Sequence, residues 1–306
     1  SVAELHAANA ERAWRFPRGL LVTQTHDTKR SGDVRARIGA LAGMAGEWRE
    51  HVLRWREVNA ELRKDGAPDA NEEYLIYQTL VGAWPIEAER LEAYLEKALR
   101  EAKRNTSWVE QDEDWETRVK RFAVALLSHR PFLRDFEPFA ARVAEEGRRS
   151  ALGQLLLKLT SPGVADVYQG DELEALSLVD PDNRRPVDWD ARRRALAALR
   201  DGAAPTPETM KLFLIWKALE LRARRPSAFF GSYEPVEAGP GVAAYRRAGE
   251  VLVVVPVRGW EDARLSAPGR WRDVLTGEER ELTDDVPVAE LVAPHGVALL
   301  ERLLDG

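Results

Sequence analysis

The sequence predicts a mainly helical α+β chain: segments of a parallel-stranded α/β barrel parted by a helical insertion, then a small antiparallel β domain. Three observations predict it. Leu20, Leu21 and Val22 form an apolar strand that runs through Thr23-Gln24-Thr25 into the polar cluster His26-Asp27-Thr28-Lys29-Arg30, as a barrel strand does at its carboxyl end. From about residue 46 to 150, apolar positions recur every three to four residues, the helical period. From Phe229 onward, short apolar runs alternate with glycine-bearing turns, the pattern of antiparallel strands.

Each element follows from its residues. Val2 to Trp14 reads as an amphipathic helix, closed by Pro17 and Gly19. The strand of Leu20 to Val22 follows, with these three residues as its buried part. A helix then begins near Ser31, with Val34, Ile38 and Leu41 on one face. Roughly a hundred helical residues come next, too many for a simple crossover between barrel strands, so residues 46–150 are expected to form an inserted subdomain. Within it, Lys64 to Asn71 is a loop, Trp84-Pro85 ends a helix, and the pattern breaks again at Asn105-Thr106-Ser107, where Ser107 is placed to cap the next helix. Residues 150–160 form an apolar helix stopped by Ser161-Pro162-Gly163. Val164 to Gly170 reads as a second short buried strand with a polar tip, Asp171 and Glu172. Ser177 to Trp189 is a loop rich in proline, acids and arginine. Helices are expected over 190–200 and 208–225. The β domain of about 75 residues carries strands at Val242–Arg246, Val251–Val257, Arg270–Leu275 and Gly296–Leu300 and is expected to be a sandwich. The expected divisions are therefore 1–45, 46–150, 151–228 and 229–306.

Composition narrows the function. The 306 residues are 44% hydrophobic and 31% charged, which suits a globular chain rather than a disordered one. A net charge of −6 speaks against nucleic acid and an anionic membrane as partners. No apolar run approaches a membrane span, and Ser1 to His6 lacks the layout of a signal peptide. With no cysteine there is neither disulfide nor thiolate metal site, and a cytoplasmic protein is expected. Ten tryptophans are many; most belong in the core, though an indole face also suits a sugar ring.

The polar positions can be read two ways. His26 and Asp27 place a hydrogen-bond donor beside a carboxylate, with Lys29 and Arg30 near enough to bind hydroxyls. As bland an account is a solvated turn in which Asp27 or Ser31 caps the next helix. Lys103 and Trp108 together suit a sugar-binding cleft, whereas the acids from Glu110 to Asp114 suit a helix N-terminus. Asp182, Asn183 and Arg184 are donors and acceptors fit for sugar hydroxyls, and Asp-Pro-Asp-Asn is equally good turn chemistry.

Four blocks in one order decide between these accounts. Thr25-His-Asp-Thr-Lys-Arg-Ser-Gly-Asp-Val-Arg-Ala-Arg-Ile38 resembles the seventh-strand motif of the maltooligosyl trehalose synthase family, within the α-amylase superfamily. Ala102 to Trp108 is similar to its Thr-Ser-Trp segment, Leu157 to Leu173 to its eighth strand, and Ser177 to Asp188 to the loop beyond. The resemblance spans about residues 4 to 303, with departures at Glu174 and Gln111. It implies the last strands and helices of a (β/α)8 barrel with a helical insertion and a carboxyl-terminal β domain. It implies intramolecular transglucosylation, in which the α-1,4 bond at the reducing end of a maltooligosaccharide becomes an α,α-1,1 bond. No cofactor and no metal are implied.

By the same resemblance Asp27 corresponds to the third catalytic carboxylate, and His26 hydrogen-bonds the same sugar. Lys29 and Arg30 lie toward the acceptor glucose, and Tyr168, Gln169 and Glu172 fall at the eighth strand's tip. A retaining transfer also needs a nucleophile and an acid/base about 5 Å apart. The family supplies both from its fourth and fifth strands, and no segment here resembles those. The chain is therefore expected to be a carboxyl-terminal part, inactive alone, whose partners are a maltooligosaccharide and the amino-terminal barrel half. The competing expectation is a non-catalytic maltooligosaccharide-binding or structural module.

Overall fold

The computed structural model describes residues 1–293 and 295–303. In chain order the elements are α1 (Val2–Arg15), β1 (Leu20–Leu21), α2 (Gly32–Ala40), α3 (Ala45–Val58), α4 (Ala70–Ala83), α5 (Ala88–Ala102), α6 (Glu113–Leu126), α7 (Arg130–Thr160) and β2 (Val164–Ala165). Then come α8 (Trp189–Arg200), α9 (Met210–Arg224), α10 (Pro226–Phe230), β3 (Tyr233–Pro235), β4 (Val242–Arg247), β5 (Val251–Pro256), β6 (Arg264–Leu265), β7 (Gly269–Asp273), β8 (Glu279–Leu282), β9 (Val286–Pro287), α11 (Val288–Val292) and β10 (Ala298–Arg302). Among the described residues no helix is long and apolar enough to cross a membrane.

The chain forms two compact units. One comprises residues 1–25, 149–174 and 187–306, the other 26–148 and 175–186.

In the first unit, β1 and β2 pair in parallel, Leu20 opposite Val164 and Leu21 opposite Ala165. Gly163 (φ +132°) makes the approach possible, because a Cβ there would stand 2.7 Å from the Gly19 carbonyl oxygen. The expectation of two longer, buried strands is corrected. Each is two residues long, Leu20 is 75% exposed, and Val22 and Val164 are exposed as well. Among the described residues each pairs only with the other, so no further strand pairs with their outer edges. The carboxyl-terminal region is an antiparallel sheet in the order β3-β4-β5-β10-β7-β8, with β6 and β9 as a separate pair. Val251, Val253 and Val255 of β5 pack with Leu155 and Leu159 of α7 and Phe213 and Leu214 of α9, while Leu252 and Val254 pack with Leu265, Leu291 and Val292. Both faces of β5 are thus buried, which is why its sequence is an unbroken valine-leucine run instead of an alternation.

The second unit is helical around an aromatic core. Trp55 is 1% exposed and packs edge-on against Tyr77, Phe132, Phe136 and Phe139. Its indole N–H is satisfied by Asp135 at 2.7 Å, as a buried tryptophan requires. Helix α4 opens on a capping box, Asp69 with Glu72. The cap of α6 is Asp112, whose carboxylate accepts from the Trp115 amide. Ser107, the expected cap, instead closes a turn by accepting from the Glu110 amide at 2.9 Å. The helix expected over 150–160 is the end of the 31-residue α7.

Candidate functional site

The second unit carries the turn from His26 to Ser31. His26 Nε2 lies 3.2 Å from the Asp27 carboxylate, and both side chains are largely open to solvent. Ser31 ends the turn as N-cap of α2, accepting from the Val34 amide and donating to the Ala175 carbonyl. The Ser31 amide donates to the Ser177 carbonyl at 2.9 Å, and the Ala175 amide to the Asp33 carboxylate at 2.7 Å. The Asn183 side-chain amide donates to the His26 carbonyl at 2.8 Å. The turn and the 175–183 loop are thus stitched together.

Helix α5 supports both. Its sequence explains why. Leu91, Leu95 and Leu99 recur at the helical spacing and are buried, so a second stripe of long polar side chains is free to reach outward. Toward the turn, Tyr94 accepts from Arg30 at 3.0 Å and Glu101 from Lys29 at 2.7 Å. Toward the loop, Lys97 donates to the Asp180 carbonyl at 2.8 Å, and Arg90 grips Asp182 through Nε and Nη2, both at 2.9 Å. Asp182 also accepts from the Leu178 amide. Burial pushes the Asp182 carboxyl up, but the Arg90 fork, the Leu178 amide and the charges of Arg90 and Arg185 outweigh it and hold the group below the usual carboxylate range. Asp182 is therefore an anchored anion rather than a proton donor. Arg184 is exposed and pairs with Asp180 at 2.6 Å.

Past α5, Lys103 adopts the left-handed conformation (φ +54°) that ends the helix, with its side chain exposed. Trp108 is half exposed, and the Arg100 guanidinium stands 5.0 Å from its ring centre. Arg100 is itself fixed by two 2.9 Å bonds to Glu116, so one side of that indole is already occupied.

The first unit holds the remaining candidates, on the turn after β2. Tyr168 is half-buried and Gln169 exposed; the Asp171 amide donates to the Tyr168 carbonyl, with Gly170 (φ +93°) turning the chain between them. Glu172 accepts from the Gly170 amide and from Arg192, both at 3.0 Å. Asp171 is buried between two lysines, Lys211 at 2.7 Å and Lys158 at 3.8 Å, and Lys158 also donates to the Thr23 hydroxyl. Burial lowers the Lys158 ammonium from its ordinary value, and Asp171 opposes that shift. Arg90, Tyr94, Glu101, Lys158 and Lys211 were not evident from the sequence. The one available signal was a lysine inside an apolar helical run, Leu157-Lys158-Leu159 and Met210-Lys211-Leu212.

Chemically, the exposed His26–Asp27 pair offers a carboxylate and a ring N–H that can grip neighbouring hydroxyls of one sugar or face a developing positive charge. Among the described residues no three histidine, aspartate or glutamate side chains come together as a metal-ligand set.

Comparison with known proteins agrees with the motifs. A Mycobacterium tuberculosis protein provisionally named maltooligosyl trehalose synthase is 39% identical over 320 aligned positions, covering 98% of this chain and 40% of that protein. The solved maltooligosyltrehalose synthase from Arthrobacter ramosus is 36% identical with a TM-score of 0.90, over 99% of this chain and 41% of that one. A Sulfolobus tokodaii structure described as a hypothetical maltooligosyl trehalose synthase is 30% identical with a TM-score of 0.82, again over 99% of this chain and 41% of its own. No family model matches. The chain thus spans about 40% of the length of the relatives it matches.

Proposed function

We propose, from the premise that this chain is similar along nearly all its length to two-fifths of the maltooligosyl trehalose synthases, that it is the carboxyl-terminal part of such an enzyme. Residues 1–45 and 151–228 then carry the seventh and eighth strands of a (β/α)8 barrel with their helices. Residues 46–150 are the insertion and 229–306 the β-sandwich domain. The reaction is the intramolecular transfer that turns the reducing-end α-1,4 bond of a maltooligosaccharide into an α,α-1,1 bond, giving maltooligosyl trehalose.

Asp27 is the carboxylate that grips sugar hydroxyls and stabilises the oxocarbenium-like transition state, with His26 on the same ring. Lys29 and Arg30 attend the acceptor glucose. Lys103 and Trp108, the tip residues Tyr168, Gln169 and Glu172, and the loop residue Arg184 complete the substrate contacts, while Asp182 and Asn183 hold that loop against Arg90 and the His26 carbonyl. The nucleophile and the acid/base come from the remaining barrel half, so the chain alone is inactive, and the enzyme works in the cytoplasm without cofactor.

The observation that carries this reading is the His26–Asp27 pair, standing open to solvent five residues beyond β1 in a chain whose fold matches these synthases from end to end. The bare edges of β1 and β2 support it. Leu20 is 75% exposed, and Trp14 at the end of α1 is 82% exposed, apolar surface that further strands on those edges would cover.

The test is loss of reducing ends from maltopentaose, with the chain alone and with the amino-terminal barrel half added. Activity on addition only is the expected result. Activity from the chain alone would move the reaction to residues 171–190. No activity with the added half bound would favour a non-catalytic sugar-binding module, in which the half-exposed Trp108 would be the platform.

A further inference from the structure

We propose that Asn183 is a positioning residue for Asp27, acting through the peptide bond that joins Asp27 to His26 rather than by touching sugar. The proposal rests on the reading of Asp27 given above. The Asn183 side-chain amide donates to the His26 carbonyl oxygen at 2.8 Å. That oxygen belongs to the peptide plane leading into Asp27. A rigid planar peptide transmits the constraint, because fixing its oxygen fixes the amide nitrogen of the next residue and limits where its Cβ can point. The Asp27 carboxylate sits one bond beyond that Cβ, and the side chains of both His26 and Asp27 are exposed.

The tether is only as firm as its own mounting, and the structure shows one. Asn183 lies in the short helical turn Asp182–Arg184. The preceding residue, Asp182, is clamped by two Arg90 nitrogens and the Leu178 amide, with Arg90 and Asp182 only 15% and 12% exposed. A bidentate guanidinium–carboxylate pair fixes direction as well as distance. The order of constraint is therefore α5, Arg90, Asp182, Asn183, the 26–27 peptide, Asp27. One N–H of the Asn183 side-chain amide is turned onto the backbone, where it meets the peptide leading into Asp27.

The experiment uses the enzyme that contains this chain, with Asn183→Ala, Asn183→Asp and, as control, Asp27→Asn. Asn183→Asp keeps the shape and replaces the donor with an acceptor that repels the His26 oxygen. Both Asn183 variants are expected to lower kcat about 100-fold, the cost of a misplaced catalytic group, with KM for maltopentaose changed less than about 3-fold. In Asn183→Asp the deficit is expected to shrink as pH falls and the new carboxyl gains an O–H that can donate to His26; Asn183→Ala is expected to keep its deficit at every pH. Amide exchange is expected to quicken at Asp27 and Thr28 in both variants and to stay unchanged along α5.

A raised KM with kcat intact would make Asn183 a sugar ligand and overturn the proposal. So would kcat and KM both at wild-type values, or an Asn183→Asp deficit that ignores pH. Loss of exchange protection along α5 would show a collapsed loop and also overturn it. If Asp27→Asn keeps full activity, the functional reading fails and takes this proposal with it; if Asp27→Asn is inactive while the Asn183 variants are normal, only the positioning role fails.

Discussion

On the proposed reading Asp27 faces an oxocarbenium-like transition state, which asks for an anion held in one direction, and the residues around it divide that work. His26 sits 3.2 Å from its carboxylate, while Asn183 holds the peptide behind it. Asp27→Asn keeps the hydrogen-bonding shape and removes the charge. In the intact enzyme it is expected to lower turnover by several orders of magnitude while maltooligosaccharide binding survives, checked by single-turnover kinetics beside equilibrium binding. Asp182 shows how a neighbouring carboxylate serves a different end. Its folded titration is depressed, so its contribution to stability is present above the unfolded carboxyl's midpoint, about pH 4, and is lost as pH falls through the lower folded value. Asp182→Asn is expected to cost about 2 kcal/mol at pH 7, since it strips the charge from a partly buried pair, and almost nothing at the acid limit. Urea unfolding at the two pH values checks it.

At the scale of elements, α5 decides where the candidate site is built. Leu91, Tyr94, Leu95 and Leu99 commit one side to the core, and Arg90, Lys97, Glu101 and the Tyr94 hydroxyl are then offered beside it at intervals of three to four residues. Arg90→Ala leaves the mostly buried Asp182 with only the exposed Arg185 guanidinium and the Leu178 amide. It is expected to destabilise the chain by about 3 kcal/mol and to raise amide exchange through residues 177–185 first. The β1–β2 pair depends on a different device. At Gly163, an alanine would bring its Cβ to 2.7 Å from the Gly19 oxygen and 2.8 Å from Leu21 Cγ, at a φ of +132° that a side chain opposes. Gly163→Ala is expected to cost about 2–3 kcal/mol. Thermal unfolding measures it, and an unchanged transition would remove the close approach as the reason for the Ser161-Pro162-Gly163 break.

At the scale of the whole molecule, the notable quantity is apolar surface left uncovered. Trp14 (82%), Phe16 (61%), Leu20 (75%) and Val22 (49%) cluster within nine residues at the start of the chain. Single exposed apolar side chains are ordinary, but a run of them beside strands with open outer edges is the kind of surface that a further strand or a partner covers. The chain alone is expected to bind a hydrophobic dye such as ANS and to self-associate at high concentration. Adding the amino-terminal barrel half is expected to abolish the dye signal. Dye binding that persists in a stable mixture would mean that this surface has another purpose.

The sequence by itself determined the succession of helical and strand regions and the family resemblance. Local period distinguishes helix from strand, Ser31 is a good cap wherever it occurs, and His26-Asp27 declares itself as a polar tip on an apolar run. Sequence did less well with strand length, because Leu20 to Val22 looks like a buried strand whether or not anything lies beside it, and only pairing reveals that two residues are held. The tertiary structure alone decided what each polar side chain does. Asp182 and Asn183 were visible as loop polars suited to sugar, yet Asp182 is taken by Arg90, 92 residues earlier, and Asn183 by the His26 carbonyl, 157 residues earlier. Lys158 and Lys211 look like errors in apolar helices until Asp171 is placed between them. The physical reason is one of range. Backbone preference and amphipathic period act over a few residues and are written locally, whereas a hydrogen bond or ion pair joins whatever the fold brings within about 3 Å, however far apart in the chain.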